Sequence, residues 1–267
     1  MSRNILTGLV GAWSPWLGAT GYSLLDRSGN GSHGTLKNMA TTAWTASTIA
    51  GRSGNTLSFD GSDDFVEVPV SSWLNTDYTA GITFGGWVYP QRSGQYQFLT
   101  GKAFGAGNDR DFGVWLAPGT NQYYVALRGT TITASGKLLN LSIPWVVNAW
   151  NLVLVSYSPG TLTTTINGQQ SHTATFTGNV AFPNSTQTVQ IGAEVSVYDV
   201  FALQGHVAEV YLWRRSLRVA EHSQVYHLGP GRLLTQRTQR RVFRTQAAAV
   251  KSYLFLNRGQ VIGGGML

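Results

Sequence analysis

The sequence predicts an all-β chain: an antiparallel two-sheet sandwich with one short helix near its end and an extended basic tail. Three observations predict it. Runs rich in Val, Ile, Thr, Tyr, Phe and Trp recur between turn signals at roughly the 8–12-residue spacing of a sandwich or barrel. No strand–helix–strand alternation appears, which excludes a parallel α/β sheet. Gly is abundant, at 32 of 267 residues, and only 12% of residues are charged, the profile of short strands joined by tight turns.

The strand candidates, in order, are TLSFDG (56–61), DFVEVPV (64–70), ITFGGWVYP (82–90), QYQFLTGK (95–102), DFGVWLAP (111–118), QYYVALRGT (122–130), WNLVLVSY (150–157), TLTTTING (161–168), TVQIGAEV (188–195) and HVAEVYLW (206–213). Pro159 and Gly160 meet the backbone demands of a hairpin turn at SPGT, and ING closes the next strand with a second turn. One segment, residues 216–229, reads as a helix. Ser216 is its expected N-cap, Gly229 and Pro230 its stop, and Leu217, Val225 and Leu228 a narrow apolar stripe over one edge of the sandwich.

The chain is long enough to bury a core without staples. It has no Cys, which excludes disulfides and thiolate metal sites. MSRNILTGLVGAW lacks the cleavage pattern of a signal peptide, and no apolar run reaches the ~18–20 residues of a membrane span. A soluble chain away from membranes is expected. Low charge also marks surfaces meant to be covered by neighbours. The net charge of +7 is unevenly placed. Seven of the nineteen Lys/Arg, and none of the twelve Asp/Glu, fall in residues 230–267, so residues 1–229 are neutral.

Taken together, LVGAW, LLDRSGNGSHGTL, LSFDGSDDFVEVP, ITFGGWVYP, WNLVLVSYSPGTLTTTINGQ, IGAEV and GHVAEVYLWRRSLRVAEHSQVYHLG resemble, in that order, the laminin-G-like jelly roll of the concanavalin A-like lectin/glucanase superfamily. The resemblance spans residues 5–229 and implies a jelly-roll domain over residues 1–229. One departure is Arg218, which follows Leu217 where the family carries Ser or Thr. A second resemblance concerns the end of the chain. Jelly rolls followed by an Arg-rich terminus such as GPGRLLTQRTQRRVFR occur among virion proteins of tailed bacteriophages.

Motifs with chemical meaning mostly resolve to turns. Gly29, Gly31 and Gly34 match G-x-G-x-x-G but lack the buried strand before and the helix after that a dinucleotide needs. Asp60, Asp63 and Asp64 in FDGSDDF fit an Asx-type turn better than a calcium loop. Asp109 and Asp111, in GNDRD, are the remaining calcium candidates, with Arg110 a competing ion-pair partner. No other cofactor is expected. The Glu-x-Asp-x-Glu strand of related glucanases is absent. The five histidines (His33, His172, His206, His222, His227) form no metal or esterase motif, so no enzyme is expected. Of the tryptophans, Trp87, Trp150 and Trp213 sit in strands and read as core. Trp16, Trp44, Trp73 and Trp145 sit in loop-like stretches and are the candidates for stacking on carbohydrate.

In residues 230–267, apolar side chains alternate with the charges. A free nucleic-acid arm has no use for exposed Tyr253, Leu254, Phe255 and Leu256, so an assembly strap is expected. Arg232, Arg237, Arg240, Arg241 and Arg244 would meet acidic partner groups, while Phe243, Tyr253 and Phe255 would fill partner pockets. The expectation is a phage virion structural protein, made in the host cytoplasm: a capsid decoration or a tail or fibre component. It would be homo-oligomeric, with the sandwich displayed toward glycans and the terminus fastened to other virion proteins. The alternative is a free carbohydrate-binding lectin or adhesin, with or without dependence on calcium.

Overall fold

The computed structural model describes residues 4–74, 78, 80–103, 110–127, 137–176, 187–195 and 200–235. In chain order its strands are β1 (Leu9–Trp13), β2 (Ser23–Leu24), β3 (Gly34–Lys37), β4 (Trp44–Ile49), β5 (Arg52–Asp60), β6 (Phe65–Val68), β7 (Ile82–Pro90), β8 (Gln97–Ala103) and β9 (Arg110–Leu116). They continue with β10 (Gln122–Leu127), β11 (Lys137–Asn140), β12 (Asn151–Ser158), β13 (Gly160–Ile166), β14 (Gln169–Phe176), β15 (Val189–Ile191), β16 (Ala193–Val195), β17 (Val200–Ala202) and β18 (Gln204–Trp213). Helix α1 (Val219–Leu228) closes the series.

The strands form two antiparallel sheets. Sheet A runs β14-β13-β12-β7-β18-β5-β4, and β1 also pairs with β18. Strands β5 and β1 share one side of β18 end to end, β5 pairing with residues 204–207 and β1 with residues 210–213. Sheet B runs β11-β10-β9-β8-β15-β6-β3-β2, and β16 with β17 makes a separate ribbon. The result is the expected antiparallel sandwich with one short helix near its end.

Period-2 alternation decides which residues fill the space between the sheets. On sheet A, Phe59, Phe84, Val153, Val155, Tyr157, Val210 and Leu212 face inward; on sheet B, Val66, Leu99, Phe112, Val114, Tyr123 and Val125 meet them. The two expected turns are present. Ser158 pairs with Thr161 around Pro159-Gly160, and Ile166 pairs with Gln169 around Asn167 and Gly168, whose φ values of 51° and 76° suit a tight hairpin turn. The expected single strand at 188–195 is split between β15 and β16 at Gly192. There φ is 89°, and a Cβ would lie 2.0 Å from the Phe59 ring. Only glycine fits that crossing.

Sheet A carries a second apolar layer on its outer face. Trp87, Leu152, Leu154, Tyr211 and Trp213 are covered there by Ile5 and Leu9, by Val225 of α1, and by Leu233 and Leu234. The helix lies toward the β13–β14 side, where Tyr226 stacks on Trp87 at 5.6 Å. Helix α1 begins two residues later than expected. Its N-cap is Arg218, whose backbone N–H is accepted by Glu221, three residues on, at 2.9 Å. Ser216 stays outside the helix because the next N–H, that of Leu217, donates to Thr83 Oγ1 at 2.8 Å, holding this segment to β7.

Candidate functional site

Alternation on β9 and β10 that sends Phe112, Val114, Tyr123 and Val125 inward sends Trp115 and Tyr124 outward. The two are directly opposed across the strand pair. On β8, Phe98 is opposed to Trp115 from the other side. An aromatic ladder therefore crosses three strands on the outer face of sheet B. Its ring centroids are 5.0 Å apart for Phe98–Trp115 and 5.2 Å for Trp115–Tyr124. Gly113, two residues before Trp115 on the same face, makes room for the indole: a Cβ there would lie 2.5 Å from Trp115 Cη2.

Two further rings complete a recess. Tyr96, just before β8, meets Tyr124 at 6.1 Å and 79°. Phe201 of the β16–β17 ribbon meets Tyr96 at 5.9 Å and 76°. Tyr96, Trp115, Tyr124 and Phe201 line a pocket of about 230 Å³. Trp115 is only 2% exposed and forms the floor, while the other three are half-buried walls. At the N–H edge of the floor lies Glu194, opposed to Phe201 in the ribbon. Its carboxylate, 2% exposed, accepts the Trp115 indole N–H at 2.9 Å. A small, apolar, aromatic recess with one buried acid beside it is the kind of concavity that receives a ligand.

A family model described as the concanavalin A-like lectin/glucanases superfamily, the laminin-G type, matches residues 60–221, more than half of the chain. The chain belongs to this superfamily. No curated protein matches it by sequence. Among solved structures, the binding domain of the Paraclostridial mosquitocidal protein 1 superposes with a TM-score of 0.60 at 13% identity, covering 83% of this chain and 52% of that one. The binding domain of botulinum neurotoxin DC, solved with rat synaptotagmin II, gives 0.59 at 12% identity over 84% and 52%. Trypanosoma rangeli sialidase gives 0.55 at 17% identity over 83% and 33%. This superfamily member thus spans about half the length of the toxin binding domains and about a third of the sialidase. At these identities the likeness is one of fold.

The tryptophans singled out from the sequence have different fates. Trp145 is 1% exposed, part of the main core, and donates its indole N–H to the Gln122 carbonyl. Trp16 is 8% exposed and lies against Gly54 and Gly231. Trp44 is half-buried and donates to the Gly21 carbonyl at 2.8 Å. Loop position suggested exposure for these three, and long-range packing removed it. Trp73, 50% exposed, keeps an open face. The pocket residues Tyr96, Trp115, Tyr124 and Phe201 were not singled out, although two bulky aromatics at outward positions of neighbouring strands were a usable signal.

Where they are described, the acidic candidates have partners within the chain, and the carboxylate oxygens of Asp60, Asp63 and Asp64 lie within 4.8 Å of one another. Asp60 accepts Ser62 N–H at 2.7 Å, the expected Asx turn, and Asp64 accepts Asp60 N–H at 3.0 Å. Partial burial, then the nearby Asp60 and Asp63 charges, hold the Asp64 carboxyl above its ordinary range against the Asp60 hydrogen bond. Asp111, 1% exposed, faces the Lys102 ammonium at 3.5 Å, so its carboxylate already has a cation. Asp109 lies outside the described residues. The G-x-G-x-x-G stretch is a loop leading into strand β3, organised by Asp26, which accepts N–H groups of Ala12, Ser28 and Ser32 at 2.8–3.1 Å.

Two buried ionisable groups sit on the outer face of sheet A. Glu209, fully buried, is pushed up to about 7 by desolvation, against the lowering pull of Ser14, Tyr211 and Gly231. Ser14 Oγ donates to it at 2.6 Å, Gly231 N–H at 2.9 Å, and the Tyr211 hydroxyl also donates. His222 of α1, also fully buried, is lowered to about 4 by desolvation. Its neighbours fix its tautomer. Thr83 accepts Leu217 N–H and donates to the Arg215 carbonyl, so the Ser156 hydroxyl, 2.6 Å away, must donate to Thr83. Ser156 then accepts from His222 Nε2–H at 2.7 Å, leaving Nδ1 to accept the Thr165 hydroxyl at 2.9 Å. This neutral histidine is a structural hydrogen-bond hub.

Of the residues expected to grip a partner, Arg232 is exposed. Its neighbours Leu233 and Leu234 are 0% and 5% exposed and pack on the chain's own sheet A. Arg237, Arg240, Arg241, Phe243, Arg244, Tyr253 and Phe255 lie outside the described residues.

Proposed function

We propose that the protein is a non-catalytic, lectin-like binding module that receives a carbohydrate-bearing ligand in the pocket of Tyr96, Trp115, Tyr124 and Phe201. The observation that carries this is the aromatic recess on the outer face of sheet B, within a concanavalin A-like sandwich. Aromatic faces bind the apolar faces of sugar rings, and Tyr adds a hydroxyl at the rim. Solved structures of this fold include binding domains of toxins and a sialidase, which agrees with a surface-recognition role for this sandwich. A non-catalytic role is favoured because Glu194 and Glu209 are sealed from solvent and engaged by neighbours, whereas glycoside hydrolysis needs two carboxyls facing one substrate.

The wider setting we propose is a multi-copy structural protein of a tailed-bacteriophage virion. The sandwich faces outward and residues 236–267 fasten it to other virion proteins. The support is the charge asymmetry: residues 236–267 hold six Lys/Arg and no Asp/Glu, +6 of the net charge of +7. Residues 230–235 belong with the sandwich in any such division, since Leu233 and Leu234 complete its outer layer.

A glycan array with the purified protein and its Tyr124→Ala variant tests the binding role. Glycan binding that the variant loses while its thermal unfolding stays close to wild type supports it. Absence of binding to any glycan, or binding that Tyr124→Ala leaves intact, refutes the assignment to this pocket. For the terminus, a chain ending at residue 235 should fold but fail to be incorporated into particles. Incorporation at normal occupancy would overturn the fastening role.

A further inference from the structure

We infer that the aromatic pocket selects a methylated ammonium group, such as a choline-type head carried on its ligand, rather than an unmodified sugar ring. The inference rests on this pocket being the module's binding site and names the chemistry it reads.

The first argument is the arrangement of the rings. A pyranose stacks on one flat aromatic face and is then held by hydrogen bonds at its rim. Here neighbouring walls stand close to perpendicular: 79° for Tyr96–Tyr124, 76° for Tyr96–Phe201 and 76° for Trp115–Tyr124. Several ring faces therefore border one small space instead of forming a platform. A cation within about 6 Å of several ring centroids is attracted by the negative faces of all of them. A quaternary ammonium suits such a cage best, because its methyl groups fill apolar space and it loses little hydration on entry.

The second argument is charge. Among the described lining residues only Trp115, the floor, has an N–H donor in its ring, and that donor is engaged by Glu194. The floor thus offers no hydrogen bond to a sugar hydroxyl. A carboxylate accepting a hydrogen bond from the indole N–H makes the ring more electron-rich, which favours a cation over a neutral group of equal shape.

The third argument is construction. The floor depends on Gly113, where any side chain would collide with the Trp115 indole. Trp115 is also braced by Phe98 on one side and Tyr124 on the other. A ring held this way is preorganised, which lowers the ordering cost of binding.

The test compares choline with its neutral isostere 3,3-dimethylbutanol by calorimetry and ligand-observed NMR, on wild type, Glu194→Gln and Tyr124→Ala. Choline should bind at least tenfold more tightly than the isostere. Glu194→Gln keeps an oxygen to accept the Trp115 N–H but removes the charge. It should weaken choline several-fold and leave the isostere unchanged. Tyr124→Ala should abolish both, with an unfolding midpoint close to wild type confirming that the body is intact. Equal affinity for choline and isostere, an unchanged choline affinity in Glu194→Gln, or no choline binding at all would overturn the inference. Tyr124-dependent binding of glycans without an ammonium, uncompeted by choline, would sink it while leaving the binding role of the pocket standing. Choline binding without binding to any glycan on the array would do the reverse.

Discussion

Replacing Glu209 by Gln should change how stability depends on pH. In the folded protein the Glu209 carboxyl titrates near 7, against 4.5 when unperturbed. The folded state therefore holds a proton that the unfolded state has lost throughout that interval. Stability contributed by this protonation is fully present below 4.5 and is lost as pH rises through 7. At about 1.4 kcal/mol per pH unit, the interval amounts to about 3 kcal/mol. Gln is nearly isosteric. Its carbonyl can accept from Ser14 and Gly231, and its amide can donate to the Tyr211 oxygen, so the packing survives while the titration is removed. Urea unfolding of wild type and Glu209→Gln, followed by circular dichroism from pH 4.5 to 8, gives the difference in unfolding free energy at each pH. Carboxylates elsewhere cancel in that difference. It should move against wild type by about 3 kcal/mol from the acid end to the alkaline end. A difference that stays flat across this range would refute the buried-carboxyl account of Glu209.

His222 acts in the opposite sense. Its pKa near 4 means that its contribution is fully present above 6.5 and is lost as pH falls toward 4, and nitrogen-detected NMR at pH 5 should find it neutral with the proton on Nε2; a charged ring or an Nδ1–H tautomer would contradict the network. Leu233→Ala should lower stability by about 3 kcal/mol through a cavity in the outer layer of sheet A, whereas Arg232→Ala, at an exposed position, should change it by less than about 0.5 kcal/mol; thermal unfolding compares the two. Lys102→Met removes an ion-pair partner of the buried Asp111 and should cost up to roughly 3–5 kcal/mol, most of it regained in the Lys102→Met/Asp111→Leu double variant; chemical denaturation of the single and double variants measures the recovery.

Local patterns were legible. Alternation identified the β7, β9, β12 and β18 runs, and the Pro159-Gly160 and Asn167-Gly168 turns followed from residues whose backbone preferences dictate them. Short strands such as β2, β3 and β17 were not, because two to four residues carry too little periodicity to register. The helix start was misplaced by two residues because its cap depends on a contact from Leu217 to Thr83, 134 positions away.

The sequence by itself determined the all-β sandwich, its superfamily and the uneven placement of charge, since these depend on alternation, turn residues and composition, each readable within a few consecutive positions. Tertiary structure alone decided which aromatics are sealed and which are presented. Trp145 closes into the core, while Tyr96, Trp115, Tyr124 and Phe201, drawn from four separate segments, converge on one recess. The physical reason is that strand pairing and sheet crossing bring together side chains up to 105 positions apart, and solvent exposure is a property of that meeting rather than of any one stretch of chain.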